Sequence, residues 1–231
     1  LTAVHTRKSV GSVRCVYGTA HTLVCLENTH NLAGGTVWPI DKMRSVTDSA
    51  ASLGMARHLD GARIWNATAA SGVGLDAYAQ LFDTVSVCFS KGLGAPVGSA
   101  LCGPADTIAQ ARRFKQMFGG GFRQAGIIAA AALYALNNHR ERLVDDHFNA
   151  RTFADGVAEI AGVTINLDAV QTNIVNFSVA NPGQIVDACL VDGLAMLVNG
   201  PHEIRAVFSM EADDADAKKA IAIVAGALAA Q

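Results

Sequence analysis

Three short polar segments follow three apolar runs in this chain. They are Glu27 to His30 after TLVCL, Asp60 to Arg63 after MARHL, and Ser90-Lys91 after TVSVCF. In open α/β sheets ligands gather at the carboxyl ends of the strands, so polar groups at three such ends point toward one site. Their types suit a definite chemistry. A lysine amine with a lowered pKa is a nucleophile. A carboxylate can hold a proton on a partner nitrogen, and an arginine can grip a carboxylate through paired hydrogen bonds. Each residue alone has a plainer role: Asp60 as a helix cap, Arg63 as partner of a surface acid, and Lys91 and His30 as loop residues. Gly119-Gly120-Gly121 alone reads as a helix stop and turn. It is their co-occurrence that carries the argument.

The elements that must position these groups are legible in outline. Thr22 to Glu27, Met55 to Asp60 and Thr84 to Ser90 read as buried strands. Asn28 to Gly35 is a polar, glycine-bearing loop. Pro39 and Asp41 open a helix with Met43, Val46, Ala50 and Leu53 on one face. Ala62 to Ser71 reads as a short helix closed by Gly72. Strands alternating with helices imply βαβ units and a mostly parallel sheet. The lysine loop is short enough for Ser99 to Gly103 to return antiparallel. Pro104 starts a basic helix that stops at the three glycines, and an alanine-rich helix runs from Gln124 to Asn138. Beyond His139 a charged helix, strands VTINL, NIVNFSV, AMLVN and EIRAVFSM, and helices from Ile185 and Asp214 suggest a smaller α+β domain. The division expected is therefore 1–138 for the large domain and 139–231 for the small one.

Composition narrows the function class. The chain has 231 residues, 51 % hydrophobic and 16 % charged, with a formal net charge of -2. That length can bury a proper core. The balance leaves no electrostatic footprint for nucleic acid or an anionic membrane. No signal peptide is expected from LTAVHTRKSV, and the tail AIAIVAGALAA is too short to span a bilayer. Cys15, Cys25, Cys88, Cys102 and Cys189 form no CxxC pair and are expected to be buried, reduced thiols of a cytoplasmic protein. No HExxH occurs among the seven histidines, so no zinc site of that type, and no metal, is expected.

The residue set matches the needs of a pyridoxal phosphate enzyme. Such an enzyme uses a lysine for the Schiff base, a carboxylate for the pyridine nitrogen, donors for the phosphate, and an arginine for the substrate carboxylate. CLENTHN (Cys25 to Asn31), HLDGARIWNA (His58 to Ala67), SKGLGAPVGS (Ser90 to Ser99) and GGGFRQAG (Gly119 to Gly126) resemble the signature segments of L-threonine aldolases, of the low-specificity or allo-threonine type. Those are fold-type-I pyridoxal phosphate lyases. The resemblance is strongest over about residues 20 to 150 and weaker beyond, where IRAVFSM is similar to the family's IRLVTH segment.

The resemblance implies a role for each matching residue. Lys91 would carry pyridoxal 5'-phosphate, Asp60 would bind its ring nitrogen, and Ser90 would touch its phosphate. Arg63 would contact the substrate carboxylate or the cofactor's phenolic edge. Arg205 would hold the α-carboxylate. Arg123 would reach the phosphate of a neighbouring subunit, which implies a homo-oligomer, dimer or tetramer. His30 would lie near the substrate hydroxyl, as base alone or through water. Gln116 stands where the family has a phosphate-reaching lysine, and Lys115 is turned about 100° from it on a regular helix. The family's Gly-Thr phosphate loop and ring-stacking histidine are expected to precede Leu1, and the first twenty residues match no family motif. The implied activity is cleavage of L-threonine or L-allo-threonine to glycine and acetaldehyde. The alternatives are another pyridoxal phosphate lyase, acting on a β-hydroxy amino acid such as phenylserine or by β-elimination, and a catalytically impaired chain that binds cofactor.

Overall fold

The computed structural model describes residues 21–230. Cys15 and the unmatched first twenty residues lie outside the described residues. Two compact units divide the chain. One holds the described residues up to Thr29 together with Trp38–Arg140, and the other holds His30–Val37 and the described residues from Glu141 onward.

The first unit is built on a four-stranded sheet of order β1-β2-β3-β4. Its strands are β1 (Leu23–Glu27), β2 (Ala56–Gly61), β3 (Thr84–Cys88) and β4 (Ser99–Cys102). β1, β2 and β3 run parallel, and β4 returns antiparallel beside β3. β3 starts opposite His58, two positions into β2, and the three strands end within two positions of one another, with Glu27 opposite Asp60 and Asp60 opposite Ser86. The register thus lines up the ends that the polar segments follow. α1 (Ile40–Ser52) buries Met43, Thr47 and Ala50 and packs on β1 and β2. Leu53, expected on that buried face, is the exposed C-cap residue. α2 (Ile64–Ser71) is closed by Gly72 in the left-handed conformation at φ 72°, where glycine bears no Cβ penalty. A short α3 (Leu75–Ala79) precedes β3, and α4 (Ala105–Met117) and α5 (Gly126–Asn138) follow β4. The core of this unit includes Leu26, Leu59, Ile64, Tyr78, Val85 and Val87.

The second unit pairs a three-stranded antiparallel sheet with three helices. The strand order is β5-β7-β6, from β5 (Ile174–Ser178), β6 (Leu197–Val198) and β7 (Glu203–Val207). α6 (Leu143–Ala158), α7 (Pro182–Val191) and α8 (Asp214–Ala229) cover it. Phe153, Phe177, Phe208, Ile185, Ile204 and Val224 form its core. α8 begins with a capping box, in which the Asp213 side chain accepts from the Asp216 amide and the reverse bond is also present.

Several expectations are corrected here. VTINL is not a strand: it contributes one isolated bridge, Thr164 with Ser178, and leads into a 3-10 turn at Leu167–Ala169. Asn166 caps that turn through its own side chain, which competes with a β ladder. α3 was not anticipated, because five residues give too little periodicity to detect. Cys25 and Cys102 are exposed and only Cys189 is buried, although none of Cys25, Cys88, Cys102 and Cys189 is bridged. Leu23 and Cys25 share the face of β1 that stays open, while Leu26 lies on the face covered by α1. Residues 30–37, which the sequence groups with the large domain, pack within the second unit instead. There the Thr172 hydroxyl donates to the Gly35 carbonyl at 2.7 Å, and the Val37 amide donates to Gln171 Oε1 at 2.8 Å.

Candidate functional site

In the first unit, Asp60 sits at the end of β2 and its side chain is oriented by the backbone. Oδ1 accepts the Ala62 amide at 3.0 Å, and Oδ2 has no partner among the described residues. Gly61, next to it, lies against β3 so closely that a Cβ would meet the Ser86 carbonyl oxygen at 2.8 Å. Arg63 is buried at 9 % exposure and caps α2. Partial burial, and then the Asp60 charge, push the Cys25 thiol pKa up.

Ser90 and Lys91 follow β3 and are exposed. The loop they open is pinned at several points. The Phe89 amide donates to the Gly98 carbonyl at 3.0 Å, Ala95 to Phe89 at 2.9 Å, and Gly94 to Lys91 at 2.8 Å. Trp65 of α2 donates Nε1 to the Cys88 carbonyl at 2.8 Å and stacks on Phe89, with centroids 6.2 Å apart. The Arg140 guanidinium lies 5.7 Å from the Trp65 ring centroid. His139 Nδ1 contacts the Leu93 carbonyl at 2.7 Å, so this ring nitrogen carries the proton. The amine of Lys91 has no acidic partner among the described residues.

Arg123 is exposed in the turn after the triple glycine. That turn is a helix stop with the pattern of a Schellman motif: the Gly120 amide donates to the Lys115 carbonyl at 2.7 Å, and Gly119 has φ 83°. Gly121 lies under the Gln116 amide, where a Cβ would clash with Oε1.

In the second unit, His30 and Arg205 belong to one locality. The Ala33 amide donates to His30 Nδ1 at 3.1 Å. A neutral ring held in this way keeps its proton on Nε2 and presents a donor there. Arg205 Nη1 donates to Asn31 Oδ1 at 3.2 Å, and its buried Nε has no partner among the described residues. A buried cationic donor without an acceptor marks a place for an anion. Asn31 and His139 escaped the sequence as functional candidates. Asn31 was legible only as part of CLENTHN, and nothing in the order of residues ties His139 to a carbonyl in the lysine loop.

A parallel sheet with an antiparallel return, flanked by helices, makes this unit an α/β fold, with a lysine after the third strand and an acid at the end of the second. That fold is shared with a threonine aldolase from Leishmania major, at TM-score 0.72 and 18% identity, covering 88% of this chain and 60% of that one. It is also shared with a Sphingomonas wittichii serine palmitoyltransferase, at TM-score 0.71 and 18% identity, covering 91% and 55%. The chain belongs to the beta-eliminating lyase family, whose pattern matches residues 2–180. Among curated relatives it is 38% identical over 189 residues to the low specificity L-threonine aldolase of Escherichia coli K12, covering 82% of this chain and 55% of the relative. It is 41% identical over 153 residues to low-specificity L-threonine aldolase 1 of Arabidopsis thaliana, covering 66% and 43%. The chain thus spans about half the length of the curated relatives it matches.

Proposed function

We propose that this chain is part of a pyridoxal phosphate-dependent aldehyde-lyase that cleaves L-threonine and L-allo-threonine to glycine and acetaldehyde. On this reading the first unit is the C-terminal portion of the cofactor-binding large domain and the second is the small domain. The observation that carries the proposal is the occurrence, at the ends of two neighbouring strands, of a lysine amine with no acidic partner among the described residues and a carboxylate oriented by the Ala62 amide.

The residues present fit the cofactor. Asp60 keeps one oxygen clear for a ring nitrogen while the Ala62 amide holds the other. Lys91 has no competing acid among the described residues, and Ser90 precedes it beside a chain of loop hydrogen bonds. Lys91 would hold the cofactor covalently, Asp60 its ring nitrogen, and Ser90 and Arg63 its polar edge. When bound, the cofactor supplies an electron sink for the pair left on the substrate's Cα. Arg205 would hold the substrate carboxylate, in keeping with its unpartnered Nε. His30 would lie near the β-oxygen and take the hydroxyl proton, alone or through a water. The proton lost from that oxygen is balanced by the one Cα gains on becoming glycine.

A homo-oligomer, dimer or tetramer, is part of the same proposal. Phe118 at 81% and Ile127 at 76% exposure place large apolar surface on and beside α4 and α5, and Arg123 nearby would act on a neighbouring subunit. The unbridged cysteines fit a reducing, cytoplasmic setting.

The test is spectroscopic. Lys91→Ala should abolish the visible absorbance of covalently bound pyridoxal phosphate and aldehyde release from L-threonine together. Retention of that absorbance would remove Lys91 from the role. His30→Asn should lower kcat with the cofactor absorbance intact, and an unchanged kcat would remove His30 from the reaction. Running the aldehyde assay on phenylserine alongside the threonine isomers sets the substrate range.

A further inference from the structure

Arg205 lies in the central strand of the second sheet, opposite Asn176 of β5 and Leu197 of β6. One corner of its guanidinium is fixed, by Nη1 donating to Asn31 Oδ1 at 3.2 Å. Its Nε is buried and unpartnered among the described residues. The strand places an acid close by: Glu203 is two positions earlier, on the same face of β7. Among the described residues Glu203 makes no ion pair with Arg205. Its Oε2 accepts from Asn199 Nδ2 at 2.5 Å and from Asn176 Nδ2 at 3.5 Å. Asn176 Nδ2 also reaches the Leu32 carbonyl at 3.4 Å, in the segment that carries Asn31. The partner that the described residues give Arg205 is thus a neutral amide oxygen, while two other amides engage the neighbouring carboxylate.

We propose that Asn31 is the positioning residue of the Arg205 carboxylate site: it locks the guanidinium's orientation with a neutral acceptor and leaves the charge and the Nε–H to a substrate α-carboxylate. This rests on the assignment of Arg205 to that carboxylate. The choice of amide is the essential point. A carboxylate at position 31 would make a stronger, charge-assisted bond with Arg205, and would compete with the ligand for the same cation. A methyl group at 31 would release the guanidinium but leave its charge free. A residue that served only the packing of the 30–37 loop would rank the other way. Asn31→Asp has nearly the same shape and is a better acceptor, so it would be milder than Asn31→Ala.

The experiment uses the full chain loaded with cofactor and titrates it calorimetrically with glycine and with glycinamide, which lacks the carboxylate. The quantity read is the preference for glycine over glycinamide. Losing one hydrogen bond to a charged group corresponds to about a 10- to 100-fold change in binding. Asn31→Asp should reduce the preference by that much and Asn31→Ala by less, with cofactor absorbance unchanged. The KM for L-threonine should rise in the same order, with kcat moving less. Arg205→Ala is the reference. If it collapses the preference while Asn31→Asp and Asn31→Ala keep it, or if Ala is the more damaging of the two, the positioning role is overturned and the carboxylate assignment stands. If Arg205→Ala also keeps the preference, the carboxylate assignment fails and the inference fails with it. Should Asn31→Asp not fold, an unchanged preference in Asn31→Ala overturns the proposal alone.

Discussion

Gly61→Ala tests how tightly β2 and β3 are joined at the point where the candidate site begins. A Cβ at Gly61 would stand 2.8 Å from the Ser86 carbonyl oxygen, 3.3 Å from Ile64 Cβ and 3.4 Å from Val85 Cγ1. An unstrained carbon-to-oxygen contact closes at about 3.3 Å, so β2 or β3 must move by roughly half an ångström. The obstacle is backbone, not a side chain that can rotate away. Ser86 is paired on both sides, with Asp60 of β2 and Leu101 of β4, so the movement disturbs two ladders. Overpacking of this kind costs about 1–3 kcal/mol. With a urea slope of about 2–3 kcal/mol per molar, the midpoint should fall by roughly 0.5–1 M. Trp65 tethers α2 to the end of β3 and supplies the fluorescence signal. Gly126→Ala is the control in the same unit: its Cβ would have nothing within 4 Å, and its midpoint should not fall. Because Asp60 is the adjacent residue, Gly61→Ala should also weaken cofactor retention. If Gly61→Ala unfolds at the same urea concentration as Gly126→Ala, the close approach of the strands is not what requires glycine there.

Two further outcomes are expected. His139→Ala removes the ring that meets the Leu93 carbonyl at 2.7 Å. Cofactor affinity should drop by about 5- to 10-fold, as one hydrogen bond of about 1 kcal/mol or slightly more allows, with Tm nearly unchanged; equal affinity in a cofactor titration would show that the Lys91 loop holds itself. The pH dependence of stability has a defined sign at His147. Burial lowers its pKa from 6.5 to about 4, so its contribution is complete above pH 6.5 and is lost as pH falls toward 4. Between pH 8 and pH 5 the loss is on the order of 2 kcal/mol. Burial acts on Asp146 next to it in the opposite sense, raising its pKa despite the Arg142 partner, so the comparison needed is His147→Gln. Urea midpoints of that variant should vary less between the two pH values than those of the parent.

How much of this was legible depends on whether the cause is local. TLVCLE, MARHLD and TVSVCFS announced their strands because apolar runs next to turn residues specify strands within a few residues. Gly72 and the triple glycine announced helix ends for the same reason, and the structure shows left-handed caps at both. Asp60, Ser90 and Lys91 could be singled out because strand ends of a parallel sheet are where ligands collect. VTINL misled because its alternation suits a strand, whereas pairing is decided by a partner strand distant in sequence. The open face of β1 was equally hidden: Cys25 sits in an apolar run, yet exposure is settled by what covers each face.

The amino-acid sequence by itself determined the parallel order of strands and helices in the first unit, the lysine and acid at adjacent strand ends, and the family. Those follow from short-range patterns and from motifs contiguous along the chain. Tertiary structure alone decided the donors and acceptors. Only folding sets Asn31 against Arg205, 174 positions away, takes the 30–37 loop into the second unit, and seats His139 under the Leu93 carbonyl. Those contacts join residues far apart in sequence, where no periodicity or spacing reports who will meet whom. The tautomer of His30 is the exception among them: it depends on an amide three residues away, but on a loop geometry that only the folded backbone supplies.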